Sequence, residues 1–175
     1  MRNILLLGAC ASALLAPLAA AAANTTFQFT FEGGGNAANG QIEATDLGDG
    51  RFLATSGDLS VTLGAATGSY SLLPGGPESV LSPTGTYFFD NIVEPGAASV
   101  FTNGGLVFGG SGFEINLYSV APGEFKFDYF VNGVNTIDPS TGTVAMSAVP
   151  EPSSLVLGAL GIAALVATRQ RLKAH

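Results

Sequence analysis

Three phenylalanines, Phe27, Phe29 and Phe31, stand at every second position between Thr26 and Glu32, with Thr and Gln between them. A period of two places all three on one face of an extended strand. A helix face would need apolar residues three and four apart. The same period returns at Leu59, Val61 and Leu63, at Phe113, Ile115 and Leu117, and at Phe125, Phe127 and Tyr129. Weaker strands are expected at 41–45, 51–55, 69–73, 87–90, 106–108 and 143–147. Gly-rich breaks are expected at 33–39, 47–50, 56–58, 74–77 and 109–112, with an Asn132-Gly133 hairpin turn between Val131 and Val134. Strands at roughly ten-residue spacing predict an all-β fold. The expected architecture is a single antiparallel β-sandwich-like domain or a barrel-like sheet over residues 24–149. Its expected core includes Phe27, Phe29, Phe31, Val61, Leu63, Ile115, Leu117, Phe125 and Phe127.

Charge narrows the range of partners. Residues 24–149 hold twelve carboxylates against Arg51 and Lys126, a net formal charge of −10. Such a surface repels nucleic acid and anionic surfaces. Catalytic side chains are scarce. The single histidine is His175, outside the β region, so neither a Ser-His-Asp triad nor a histidine-ligated metal can be assembled there. No P-loop, G-x-S-x-G or paired-cysteine motif occurs. Glu114 and Glu124 could face each other as a glycosidase-like pair, but solvated strand faces are the simpler expectation. Asp46 and Asp49, with Gly48 and Gly50, could offer calcium oxygens, and a β-turn is the simpler expectation. Tyr70, Tyr87, Tyr118 and Tyr129 suit core packing better than sugar stacking, since the chain has no tryptophan. No cofactor, metal site or enzymatic activity is expected.

The first 23 residues have a different character. Arg2 precedes an apolar run from Ile4 to Leu18 and a small-residue end, Ala21-Ala22-Ala23. This is the pattern of a secretory signal peptide with cleavage before Asn24, Ala21 and Ala23 supplying the A-x-A signal. A lipobox-like Leu7-Gly8-Ala9-Cys10 is the rival reading, but the apolar run before it is short. After cleavage before Asn24 no cysteine remains.

Residues 150–175 carry three signals in order: Pro150-Glu151-Pro152, an apolar run over 155–167, and the cations Arg169, Arg171 and Lys173. Two prolines around one residue stop any strand or helix before them. The following stretch is apolar all round, as a helix in lipid is, with a transmembrane helix expected at about 154–168. It spans roughly 22 Å against a hydrocarbon thickness of roughly 30 Å. Arg169 and Arg171 lengthen it by snorkelling, and their positive charge keeps that end cytoplasmic.

This tail resembles the PEP-CTERM sorting signal, which is also known as the C-terminal domain of certain ice-binding proteins. The resemblance implies an exported protein recognised by an exosortase, a membrane cysteine protease, and processed at or near Pro150, Glu151 and Pro152. The run Gly40 to Leu63 with Phe89-Asp90-Asn91, 105–108 and 114–118 is further similar to a β domain common in short proteins with such tails. The implied partners are the secretion machinery and signal peptidase, the exosortase, the membrane through the C-terminal helix, and exopolysaccharide. The implied location is the cell surface or extracellular matrix, after transient or stable inner-membrane anchoring. The alternative role is a small carbohydrate- or ice-binding module at the cell surface. An ice binder would need a flat Thr-rich face, which Thr141 and Thr143 alone do not make.

Overall fold

The computed structural model describes residues 24–110, 112–131, 133–135 and 139–150. The signal-peptide residues, including Ala21 and Ala23, and the tail from Glu151 through Pro152, Arg169, Arg171 and Lys173 lie outside the described residues.

Alternation makes the strands. The first, β1, runs Asn24–Gly33, with Phe27, Phe29 and Phe31 buried and Gln28, Thr30 and Glu32 exposed. A tight turn at Gly34 and Gly35, both at positive φ, returns the chain into β2, Asn36–Gly48. The expected break at 33–39 is therefore shorter than the glycines suggested. Asp49 and Gly50, with φ of 55° and 77°, form the next turn into β3, Arg51–Leu63. Positive φ at both central positions matches the twist of paired strands.

The expected break at 56–58 is absent, because β3 continues through it. A Cβ on Gly57 would lie 2.5 Å from the Gln41 carbonyl oxygen and 2.7 Å from Ile42 Cγ2. Glycine here admits close backbone approach at an irregularity in the ladder, where Ala44 faces Ala54 but Glu43 faces Ser56. A second register shift, where Val61 faces Ala38 but Leu63 faces Ala37, turns Leu63 outward. Leu63 is 58% exposed, against the expectation of a core position.

The remaining strands are β4 (Gly68–Leu72), β5 (Val80–Leu81), β6 (Phe88–Phe89), β7 (Ile92–Val93), β8 (Leu106–Gly110), β9 (Phe113–Ala121), β10 (Glu124–Val131), β11 (Val134–Asn135) and β12 (Ser140–Ala148). Val131 pairs with Val134 across Asn132-Gly133, as that dipeptide predicts. All pairings are antiparallel, and eight strands close in the order β1-β2-β3-β4-β8-β9-β10-β12 and back to β1. The fold is thus a closed barrel rather than a two-layer sandwich. Closure depends on β12, whose residues 143–148 pair with β1 and whose residues 140–142 pair with β10. A sandwich would leave edges on both neighbours.

The barrel interior is filled by rings. Phe31 and Phe127 lie 5.3 Å apart, Phe27 and Phe52 5.0 Å, and Phe29 lies 5.7 Å from Phe101, which the loop after β7 sends into the core. Phe101 in turn meets Phe125 at 6.1 Å. Tyr70, Phe113 and Tyr129 form a second chain of ring contacts. The bore is therefore a packed core, as in small eight-stranded barrels. Apolar inside and polar outside is the reverse of a membrane-spanning barrel.

Candidate functional site

The segment between β4 and β8 crosses the outer face of β8, β9 and β10 and creates a second, smaller core. Tyr87, Phe89 and Val107 are buried there, with Leu73, Val80 and Phe130 against them. Outward residues of β9 and β10 become buried by this cover. Glu114 is 4% exposed and Asp128 7%. Ser82 Oγ donates to Glu114 Oε2 at 2.7 Å, Thr84 N donates to Oε1 at 2.9 Å, and Thr84 Oγ1 donates to Oε2. Both oxygens of Glu114 are thus taken up in tying the β5-β6 hairpin to the barrel.

The Tyr87 hydroxyl donates to Asp128. Burial first, and then the negative charges of Asp128 and Glu114, raise its pKa well above the usual tyrosine value. Burial and Asp128 raise Tyr118 as well. Both hydroxyls hold their protons at neutral pH, and the bond from Tyr87 to Asp128 ties the covering segment to β10.

The expected Glu114–Glu124 pair is not formed. In the β9-β10 ladder Glu114 faces Phe130, while Glu124 faces Ala121 at the opposite end of the hairpin. Glu114 is also not the solvated residue expected. The carboxylate that shares its region is Asp128, which the sequence reading missed. The turn at Pro122-Gly123 was the available signal, because folding about it sends Glu114 toward residue 130. Both acids lie under the hairpin, away from any surface a polymer could reach.

The other candidates resolve as structural. Asp46 Oδ1 accepts from Gly48 N at 2.7 Å and Asp49 sits in the hairpin turn, so this is a β-turn. Among the described residues no group of three or more His, Cys, Asp or Glu could hold a metal ion. Tyr70 is buried, its hydroxyl donating to the Ala66 carbonyl at 2.8 Å. Thr141 and Thr143 point outward on β12, where Thr141 accepts from Lys126 Nζ at 2.6 Å, so no flat threonine ladder arises.

Two features face solvent in an organised way. Across five strands the outward rows Ser147, Gln28, Gln41, Asp58, Ser71 and Ala145, Thr30, Asn39, Ser60, Ser69 run side by side. They carry amides and hydroxyls with one carboxylate, around an open depression of about 660 Å³. The depression sits over Gly40, whose backbone lies on the Phe29 ring, since a Cβ there would come within 2.1 Å of Phe29 Cζ.

The second feature is the exit of the chain from the barrel. Val149 N donates to the Thr26 carbonyl at 2.8 Å, the last backbone bond that β12 makes with β1, and Pro150 is exposed immediately after it. At the other terminus of the barrel, Thr45 Oγ1 donates to Asn24 Oδ1 at 3.0 Å, so the strand is engaged from its first described residue. Comparisons with curated proteins and with solved structures return no match. The family model for the PEP-CTERM protein-sorting motif matches residues 148–171, so the chain carries that sorting motif from the last residue of β12 onward.

Proposed function

We propose that this chain is an exported, non-enzymatic barrel protein delivered to the cell surface or extracellular matrix through its sorting tail. The signal peptide 1–23 is removed before Asn24. The tail helix at about 154–168 holds the protein in the inner membrane, with Arg169, Arg171 and Lys173 on the cytoplasmic side. An exosortase then acts at Pro150, Glu151 and Pro152. One observation carries this reading: the sorting motif begins where β12 ends, so a cut at the Pro-Glu-Pro segment leaves every described strand pairing intact. Extended, exposed backbone is what a protease requires.

The test is fractionation of cells expressing the chain with a tag placed near Asn24, outside β1, as wild type and as the triple variant Pro150→Ala, Glu151→Ala, Pro152→Ala. Wild type should leave the membrane at a shortened size, and the variant should stay there at full length. Equal shortening and release of both would show the tail to be an anchor only.

A second reading, a carbohydrate-binding module, is favoured by the two polar rows over the Gly40 depression. Their amides and hydroxyls suit a neutral, hydroxyl-rich polymer, and the negative barrel disfavours an acidic one. A glycan array probed with residues 24–149 decides it, since binding unaffected by Gln28→Ala with Gln41→Ala would place any sugar site elsewhere.

A further inference from the structure

Strands β1, β3 and β10 start, and β2, β9 and β12 end, at the end of the barrel from which the chain leaves. Asn24 pairs there with Thr45, near the end of β2. The β9-β10 turn is joined to the loop after β7, since Gly123 N donates to the Ala98 carbonyl, and β7 itself pairs with the start of β3. β12 ends beside β1, with Val149 N on the Thr26 carbonyl. Only β1 therefore separates the exit at Pro150 from the β2-β3 hairpin, a lateral distance of two strand spacings, about 10 Å.

That hairpin projects. Gly48 pairs with Arg51, three residues past Thr45, so its tip reaches about 10 Å along the strand beyond Asn24. Leu47 stands at the tip, 42% exposed, between the exposed carboxylates of Asp46 and Asp49. Both cations of residues 24–149 also lie at this end, Arg51 Nε 3.6 Å from Glu94 and Lys126 Nζ 3.1 Å from Glu124. The end is thus closer to neutral than the rest of the barrel.

We infer that this end stands on the membrane that holds the tail, with the β2-β3 tip and Leu47 in the lipid headgroup layer. The inference rests on the proposed membrane helix at about 154–168. Residues 150–153 are then the whole tether, and in any conformation four residues reach at most about 14 Å. A headgroup layer takes up about 5–8 Å of that, and the projecting hairpin spans the remainder. An apolar run of roughly 22 Å in a hydrocarbon core of roughly 30 Å draws the barrel closer still, because the bilayer thins around a short span. Exposure alone would turn the barrel over, since Leu63 and Val134 at the opposite end are 58% and 63% exposed. The tether decides, because β3 and β10 carry those residues a strand's length away from the exit. Asp46 and Asp49 suit the ammonium of a zwitterionic headgroup and oppose an anionic one.

Residues 24–175, which hold every described strand and no cysteine, are reconstituted into phosphatidylcholine vesicles for the test. A polarity-sensitive dye on Leu47→Cys or on Val134→Cys reports one end each, and lipid carrying a nitroxide on its headgroup quenches a dye in the headgroup layer. Both variants should float with the vesicles and keep the wild-type far-ultraviolet spectrum. The dye at position 47 should emit at shorter wavelength and be quenched several-fold more than the dye at position 134. Equal quenching at the two positions, or more at 134, on floating vesicles would overturn the inference while leaving the tail helix in place. A chain that does not float would overturn the tail helix and the inference together.

Discussion

Gly40 and Phe29 face each other in the β1-β2 register, and the absent side chain of one is the space taken by the ring of the other. Such a pair fails asymmetrically. Phe29→Ala opens a cavity among Phe101 and Phe108 and should cost about 3–5 kcal/mol. Gly40→Ala forces a methyl into the ring and should cost about 1–3 kcal/mol. Urea unfolding of both variants and of the double mutant measures the coupling, and additive losses would contradict a shared contact. Tyr87 gives the barrel an alkaline limit. Its folded pKa is raised, so above the ordinary tyrosine value of about 10 the unfolded chain loses this proton while the folded chain keeps it. Stability from this group is full below that pH and falls as pH rises past it. Tyr87→Phe should weaken that alkaline decline while lowering stability at neutral pH through the lost bond to Asp128. A denaturation series from pH 7 to above 10 checks both signs.

Elements show where local pattern stops determining structure. Leu59 and Leu63 are the same residue type in one strand and in phase by period two, yet Leu59 is 1% exposed and Leu63 58%. The register shift between them inverts the face, and nothing in the alternation marks it. Leu59→Ala should therefore cost about 2–5 kcal/mol, whereas Leu63→Ser should stay within about 0.5 kcal/mol; equal losses would mean Leu63 is part of the core. Strands such as β1 and β10 were legible because alternation and burial obey the same local rule. Barrel closure was not, because β12 meets β1 across more than a hundred residues and no local signal specifies that pairing. The candidate site divides similarly. The sorting motif over residues 148–171 could be found from residue chemistry alone, whereas Glu114 and Asp128 were hidden because their burial comes from a covering hairpin that contributes only four strand residues, Val80–Leu81 and Phe88–Phe89.

At the scale of the whole molecule, closure and sorting share one strand. Among the described residues β12 is the last strand and it alone joins β1 to β10, so the sheet remains open until the residues that lead into the sorting motif are in place. A long-range pairing of this kind carries a large loop-closure entropy and forms late. Cooperativity should consequently have a sharp boundary in sequence. A chain ending at Val149 keeps every described pairing and should unfold at the same midpoint as the barrel in the full chain. A chain ending at Gly142 loses all six β1-β12 pairs from residue 143 onward, leaves Phe27, Phe29 and Phe31 on an unclosed sheet, and should lose its cooperative transition and bind hydrophobic dye. Thermal unfolding followed by far-ultraviolet circular dichroism compares the three chains. A lowered midpoint for the chain ending at Val149 would mean that the tail supports the barrel. It would also count against processing at Pro150 to Pro152, since release there would then weaken the cargo it delivers.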